Sequence, residues 1–311
     1  MRQRNQKPFL SYFRRNYDMY LLLVPALIFI AIFNLVPMYG ITLAFKDYNM
    51  FAADTPFMSV FKSPWAGLKH FIDILGKSDF KSALANTLII SVMKIVFIFP
   101  IPIAFAILLN EVRSLRFQKG LQLVVYLPHF LSWAIVAGIF VVLLGSTGAV
   151  NTILVSLGFE KERFLMDNSI FRQVLVFSDG WKEVGWSSII YFAAIAGLDQ
   201  ECYEAARVDG ANRFQQMRYI TLPGLAPTII LMLIIRVGNI MEAGFSQILV
   251  MYNPTVYETA DIIGTYVYRV SLGKLNFSTG TAVGLFNSLI ALFLVVSANS
   301  VAKRMTGKSI W

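Results

Sequence analysis

The chain has 311 residues, of which 57% are hydrophobic, 14% aromatic and 14% charged, with a formal net charge of +9 and a mean hydropathy of +0.62. Soluble domains average roughly 45 to 50% apolar and about 25% charged residues, so this composition excludes water-soluble, disordered, collagenous and disulfide-scaffold classes and predicts an all-α polytopic membrane protein. Cys202 is the single cysteine, and His70 and His129 have no metal-ligating company, so neither a disulfide, a metal site nor a bound cofactor is expected.

About 20 apolar residues cross a bilayer, and six such runs are predicted at 20–45, 82–110, 121–145, 171–198, 225–241 and 279–302, in one domain over 1–311. Residues 1–19 precede the first run without the small-residue cleavage site of a signal peptide, which predicts a retained span. Phe9, Leu10, Tyr12 and Phe13 mixed with Arg14 and Arg15 suit a helix lying in the cytoplasmic interface. The second run is interrupted by Pro100 and Pro102 and the third by Pro128, while the fourth carries Asp179, Gly180, Lys182 and Glu183. Prolines in spans are tolerated where neighbours satisfy the freed backbone, and ionisable groups at depth face a bundle interior or a watery cavity. Lys94 and Arg236 add two more charges at depth.

A polar substrate is held by aromatic faces and by polar side chains that replace water. The candidate path residues are therefore Tyr126, His129 and Trp133 in the third run, Asp179, Lys182 and Glu183 in the fourth, and Arg236 and Asn239 in the fifth. Tyr126, His129 and Trp133 are spaced for one helical face, which suits either a path lining or core packing. Lys182 and Glu183 suit either the path or ion pairs with Arg236 or each other.

The stretch 199–224 reads as two short helices: Asp199 as N-cap, Gly210 as a sharp turn, then a turn or two over 211–219 stopped by Leu222 and Pro223. Small Ala205 and Ala206 beside Glu204 offer a face that another protein can approach closely. Six spans put both termini on one side. The tails and the 111–120 and 199–224 loops carry fourteen basic against six acidic residues, while the other loops are close to neutral, which sets these tails and loops in the cytoplasm. The +9 is thus topology, and no nucleic-acid partner is expected.

Glu204, Ala205, Ala206, Asp209, Gly210, Ile220, Leu222 and Pro223 together resemble the "EAA" signature of membrane subunits of binding-protein-dependent ABC importers. The resemblance covers nearly the whole chain. Segments 44–49 (AFKDYN) and 65–71 (WAGLKHF), with Trp181 and Lys182, are similar to sugar permeases of the maltose-type class. Segments 243–247 (AGFSQ), 252–254 (YNP), 256–259 (VYET), 261–269 (DIIGTYVYR) and 281–286 (TAVGLF) resemble the LplB-like subgroup, associated with complex oligosaccharides. The resemblance implies the type I importer permease fold in a bacterial cytoplasmic membrane, with 199–224 as the coupling loop. It also implies a second permease subunit, two copies of a cytoplasmic ABC ATPase that bind ATP and Mg, and an extracytoplasmic solute-binding protein. The chain has no large inserted extracytoplasmic domain of the kind some maltose-type subunits carry, which leaves docking to loops 46–81 and 242–278.

The chain is not its own motor. A phosphate-binding loop needs glycine five residues before Gly-Lys-Ser, but Phe71 and Ala302 stand there ahead of Gly76-Lys77-Ser78 and Gly307-Lys308-Ser309. An ion-coupled carrier using Asp179 and Glu183 as proton relays is the alternative from another class; it calls for inverted repeats, of which none is clear, and gives the coupling loop no role. No nucleophile, base and orienter stand at readable spacing for an enzyme. A peptide or amino-acid permease shares the loop but not the sugar-like flanks.

Overall fold

The computed structural model describes residues 16–306, and the expected interfacial helix around Phe9 to Arg15 lies outside them. Among the described residues five helical stretches are long and apolar enough to cross a membrane: Tyr17–Phe45, Ser78–Asn110, Trp133–Ser156, Arg213–Gly238 and Phe277–Arg304. A further long helix, α6 below, crosses the bundle but carries too much charge to rank with them.

The first stretch begins as α1 (Tyr17–Ile30), passes through a π-helical turn at Ala31–Leu35 and ends as a 3-10 helix at Tyr39–Phe45. The second is α2 (Ser78–Phe97) and α3 (Pro100–Asn110), which meet at a break where Pro100 and Pro102 withhold their N–H groups. Predicted span 121–145 is corrected by the structure. It is two half-helices, α4 (Leu115–Tyr126) and α5 (Trp133–Leu144), joined by a 3-10 turn at Leu127–Phe130 and an extended Leu131. Pro128 opens the turn, and Ser132 caps the restart by accepting a bond from the Ile135 N–H, so the local sequence favours the break over continuation. Tyr126, His129 and Trp133 therefore do not share one helical face.

α6 (Phe171–Ala196) is the central helix, 26 residues or about 39 Å long. α7 (Gln200–Val208) and α8 (Arg213–Gln216) follow it, and α8 runs through a π-helical turn at Met217–Thr221 into α9 (Leu222–Gly238). The expected stop at Leu222 and Pro223 does not occur. Proline clashes with the carbonyl four residues back, and here the wider π turn ends two residues before Pro223, just as the one at Ala31–Leu35 ends two residues before Pro37. After α9 the chain makes a left-handed pair, Ala243 at φ 49° and Gly244 at φ 82°, and turns into the short α10 (Phe245–Met251). The last span is α11 (Phe277–Thr306).

Lipid tails are as apolar as leucine, so close approach and polar contacts rather than water exclusion hold such bundles together. Gly185 shows the first: a Cβ there would lie 2.1 Å from the Val125 carbonyl oxygen of α4. Hydrogen bonds between loops sort the two ends of the bundle. At one end Asn168 and Arg172 bond to the 255–259 backbone, and Asn86 bonds to Arg172 and to the carbonyls of Glu258 and Asp261. The length of α6 puts 199–224 at the other end, where Arg213 is 2.6 Å from Glu111.

Candidate functional site

Two regions carry the candidate residues. The first is the exposed segment after α6. Asp199 caps α7 by accepting from the Glu201 N–H at 2.9 Å. Its far end closes as a Schellman turn: the Ala211 N–H donates to Ala206 O at 2.8 Å, the Gly210 N–H donates to Arg207 O at 3.1 Å, and Gly210 sits at φ 80°. Asn212 and Gln215 then form a reciprocal capping box that starts α8. Glu204, Ala205, Asp209, Gly210, Leu222 and Pro223 are exposed, Ala206 and Ile220 are half-buried, and Val208 is 88% exposed. Tyr203 fastens the segment to the bundle with a 2.9 Å bond to the buried Thr221 hydroxyl.

The second region lies halfway along α6. Asp179, Lys182, Glu183 and Trp186 follow at intervals of three and four residues, and so share one face. Asp179 is buried and divides its oxygens: Oδ1 is 3.1 Å from Lys94 Nζ of α2, and Oδ2 is 3.3 Å from Arg236 of α9. Lys94 spends its other donors on Ala243 O at 3.2 Å and Gln247 Oε1 at 2.5 Å. Gln247 in turn donates to Leu175 O and Ser178 Oγ, both at 2.7 Å. A charge taken from water at this depth costs several kcal/mol unless paired and hydrogen-bonded, and Lys94 has three acceptors for three donors. The left-handed Ala243–Gly244 corner makes room: a Cβ at Gly244 would lie 2.4 Å from Lys94 Nζ.

One step along the same face, Glu183 Oε2 accepts from His129 Nδ1 at 2.8 Å and Glu183 Oε1 lies 3.4 Å from Lys182. Of the ion pairs expected, Glu183 pairs with Lys182, while Arg236 pairs with Asp179. The His129 ring is stacked on Trp186 at 4.4 Å with a 1° interplanar angle.

Arg236 stands where three cavities meet. The largest, about 510 Å³, is lined by Trp133, Asp179, Glu183, Arg236, Glu242, Gly244, Phe245 and Ser246. A second of about 170 Å³ adds Lys94 and Asn239, and a third of about 130 Å³ runs toward Tyr191 and again includes Glu183 and Asn239. Of the eight predicted path residues, Trp133, Asp179, Glu183, Arg236 and Asn239 thus share connected space. Tyr126, His129 and Lys182 line none of these cavities, because the break after Tyr126 turns His129 onto Trp186 and leaves Lys182 buried. Sequence reasoning missed Glu242, Gly244, Phe245 and Ser246. Their signal was the Ala-Gly pair after an asparagine at the end of an apolar run, which marks a corner rather than the end of a span.

A further cleft, about 490 Å³, opens at the end opposite 199–224 and includes Asp47, Lys69, His70, Lys77, Lys274 and Asn276. His70 Nε2 lies 3.0 Å from Lys46 O and 3.1 Å from Asp47, and Ser278 donates to Lys46 O at 2.6 Å, which joins the two loops. Within the 242–278 segment Arg269 makes a two-pronged contact with Asp261, at 2.6 and 3.0 Å, which holds the guanidinium above its ordinary pKa, while burial pushes the Tyr252 phenol up to about 12.

Residues 80–307 match the family model described as "Binding-protein-dependent transport system inner membrane component". The chain is 42% identical over 294 residues to the polygalacturonan/rhamnogalacturonan transport system permease protein YteP of Bacillus subtilis, covering 94% of this chain and 90% of that protein. It is 41% identical to Protein LplB of the same organism, covering 96% and 92%. Among solved structures it is similar to a chain of a bacterial ABC transporter involved in the import of the acidic polysaccharide alginate, with a TM-score of 0.89 and 40% identity over 96% of this chain and all of that one. The same fit recurs in that transporter's complex with a periplasmic protein bound to an alginate pentasaccharide.

Proposed function

The chain belongs to the family of binding-protein-dependent transport system inner membrane components, and on that premise we propose that it is half of the membrane pathway of an ATP-driven importer of oligosaccharides released from a polysaccharide. A second permease subunit supplies the other half. An extracytoplasmic binding protein delivers the sugar to the end bearing the 46–81 and 242–278 loops. Two cytoplasmic ATPase chains, which hold the ATP and Mg, close on the other end, where both termini lie. Their closure moves α7, and α7 passes the motion to α6 and α9, between which Asp179 and Arg236 bridge, so that the central cavity faces outward and then inward. Trp133 and Phe245 present ring faces to the sugar, and Glu183, Glu242, Arg236 and Asn239 replace water at its hydroxyls.

The observation that carries this reading is the exposed α7 with its glycine turn, built at one end of a bundle whose middle holds charged cavities. A tagged chain solubilised gently from its native membrane is expected to bring down two copies of a soluble ATPase and one other permease. Recovery of this chain alone, still competent for gradient-driven uptake, would replace the importer by a secondary carrier. In the same complex Ala206→Trp, which fills the half-buried small face of α7, is expected to abolish sugar-stimulated ATP hydrolysis. Full uptake by this variant would remove α7 from the coupling route.

A further inference from the structure

We propose that Lys182 is a positioning residue for Trp133, the indole wall of the central cavity; the inference rests on the transport reading above and adds to it a group that touches no sugar. The Lys182 side chain is 6% exposed, so it faces neither lipid nor the cavity. Its ammonium donates to the His129 carbonyl at 2.5 Å and lies 5.5 Å from the centre of the Trp133 ring. Helix ends leave carbonyls without intrahelical donors, and His129 lies at the end of the 3-10 turn where the third span breaks. Leu131 and Ser132 are extended, and Trp133 is the first residue of the next half-helix. One buried cation therefore holds both the last turn before the break and the ring that begins the chain after it.

An apolar side chain of similar length would pack in this position without the desolvation cost of an ammonium. What it would lack is the bond to the carbonyl and the attraction of a cation for the indole face. Glu183 completes the clamp. One of its oxygens faces Lys182 while the other accepts from His129, whose ring is held flat on Trp186, so the His129 carbonyl is not free to turn away. Trp133 and Glu183 then enter the same cavity wall. Without the clamp the indole keeps only its packing against the apolar cluster around Val136 and Ile248, and a stacking surface that must be ordered further on binding costs affinity.

The test uses the complete importer with its binding protein in proteoliposomes and reads the sugar concentration that half-maximally stimulates ATP hydrolysis. Short fragments of polygalacturonan, of alginate and of arabinan are the probes. Lys182→Met is expected to raise that concentration about tenfold while leaving the amount of assembled complex unchanged, and Trp133→Leu is expected to raise it by a similar factor. The double variant is expected to be no worse than either single one, since both remove the same ordered ring. Multiplying effects in the double variant, or an unaltered value for Lys182→Met, overturn the positioning role and leave the transport reading standing. Should Lys182→Met fail to assemble, Lys182→Gln, which keeps a donor for the carbonyl but no charge over the ring, is judged by the same cycle. Absence of stimulation by all three probes in the unaltered complex overturns the oligosaccharide reading itself.

Discussion

The segment around α7 and the charged middle of α6 are built on opposite principles. The first is exposed, and nearly every contact that shapes it is local: the Asp199 cap, the Schellman turn at Gly210, the Asn212–Gln215 box. The second is largely buried, and its contacts between elements span 53 to 153 residues of sequence, from His129–Lys182 to Lys94–Gln247. A locally specified segment holds its shape while it moves as a rigid unit. A non-locally specified centre fixes which helices touch, and changes when they shift relative to one another.

The sharpest way to break the contrast is at Asp179. Asp179→Ala strands Lys94 and Arg236 without their shared anion, and loss of one partner of a buried pair costs about 3–5 kcal/mol. A large fall in the melting temperature of the purified complex is expected, and a variant as stable as the parent would show the centre to be well solvated instead. Next comes Gly210→Ala, which puts a Cβ on a residue at φ 80° with open space around it. The cost is backbone strain alone, about 1–2 kcal/mol, felt as weaker coupling between sugar and ATP hydrolysis and not as lower thermal stability. A matching loss of global stability would mean that the loop is not local after all. The smallest effect is expected for Asn212→Ala, which removes one half of the capping box and costs about 1 kcal/mol. Faster amide exchange confined to 213–217 would agree with a local role, whereas exchange spreading into α6 would not.

The same contrast explains what could be read in advance. Most span positions followed from apolar run lengths, and the α7 boundaries from Asp199 and Gly210, because caps and glycine turns act over a few residues. The break in the third span was half legible: Pro128 was visible, but proline in a membrane helix is compatible with a kink, a turn or a break. Only the Ser132 cap and the Lys182 bond to the His129 carbonyl decide for the break. Pro223 misled in the other direction, since a π turn lets the helix run through it. Lys182 and Arg236, both cations within predicted spans, turned out to be a buried clamp and a cavity-lining group.

From the sequence alone came the membrane class, most of the apolar runs in their order, and the cap and turn of α7. All of these rest on composition or on interactions within one or two helical turns. The tertiary structure alone decided that Asp179 serves Lys94 and Arg236 together, that Glu183 serves His129 and Lys182, and that the Gly244 corner rather than Tyr126 borders the cavity. A charge in an apolar environment takes whichever partner the packed helices bring within a few ångströms, and that distance is set by helix crossing and close approach, not by spacing along the chain.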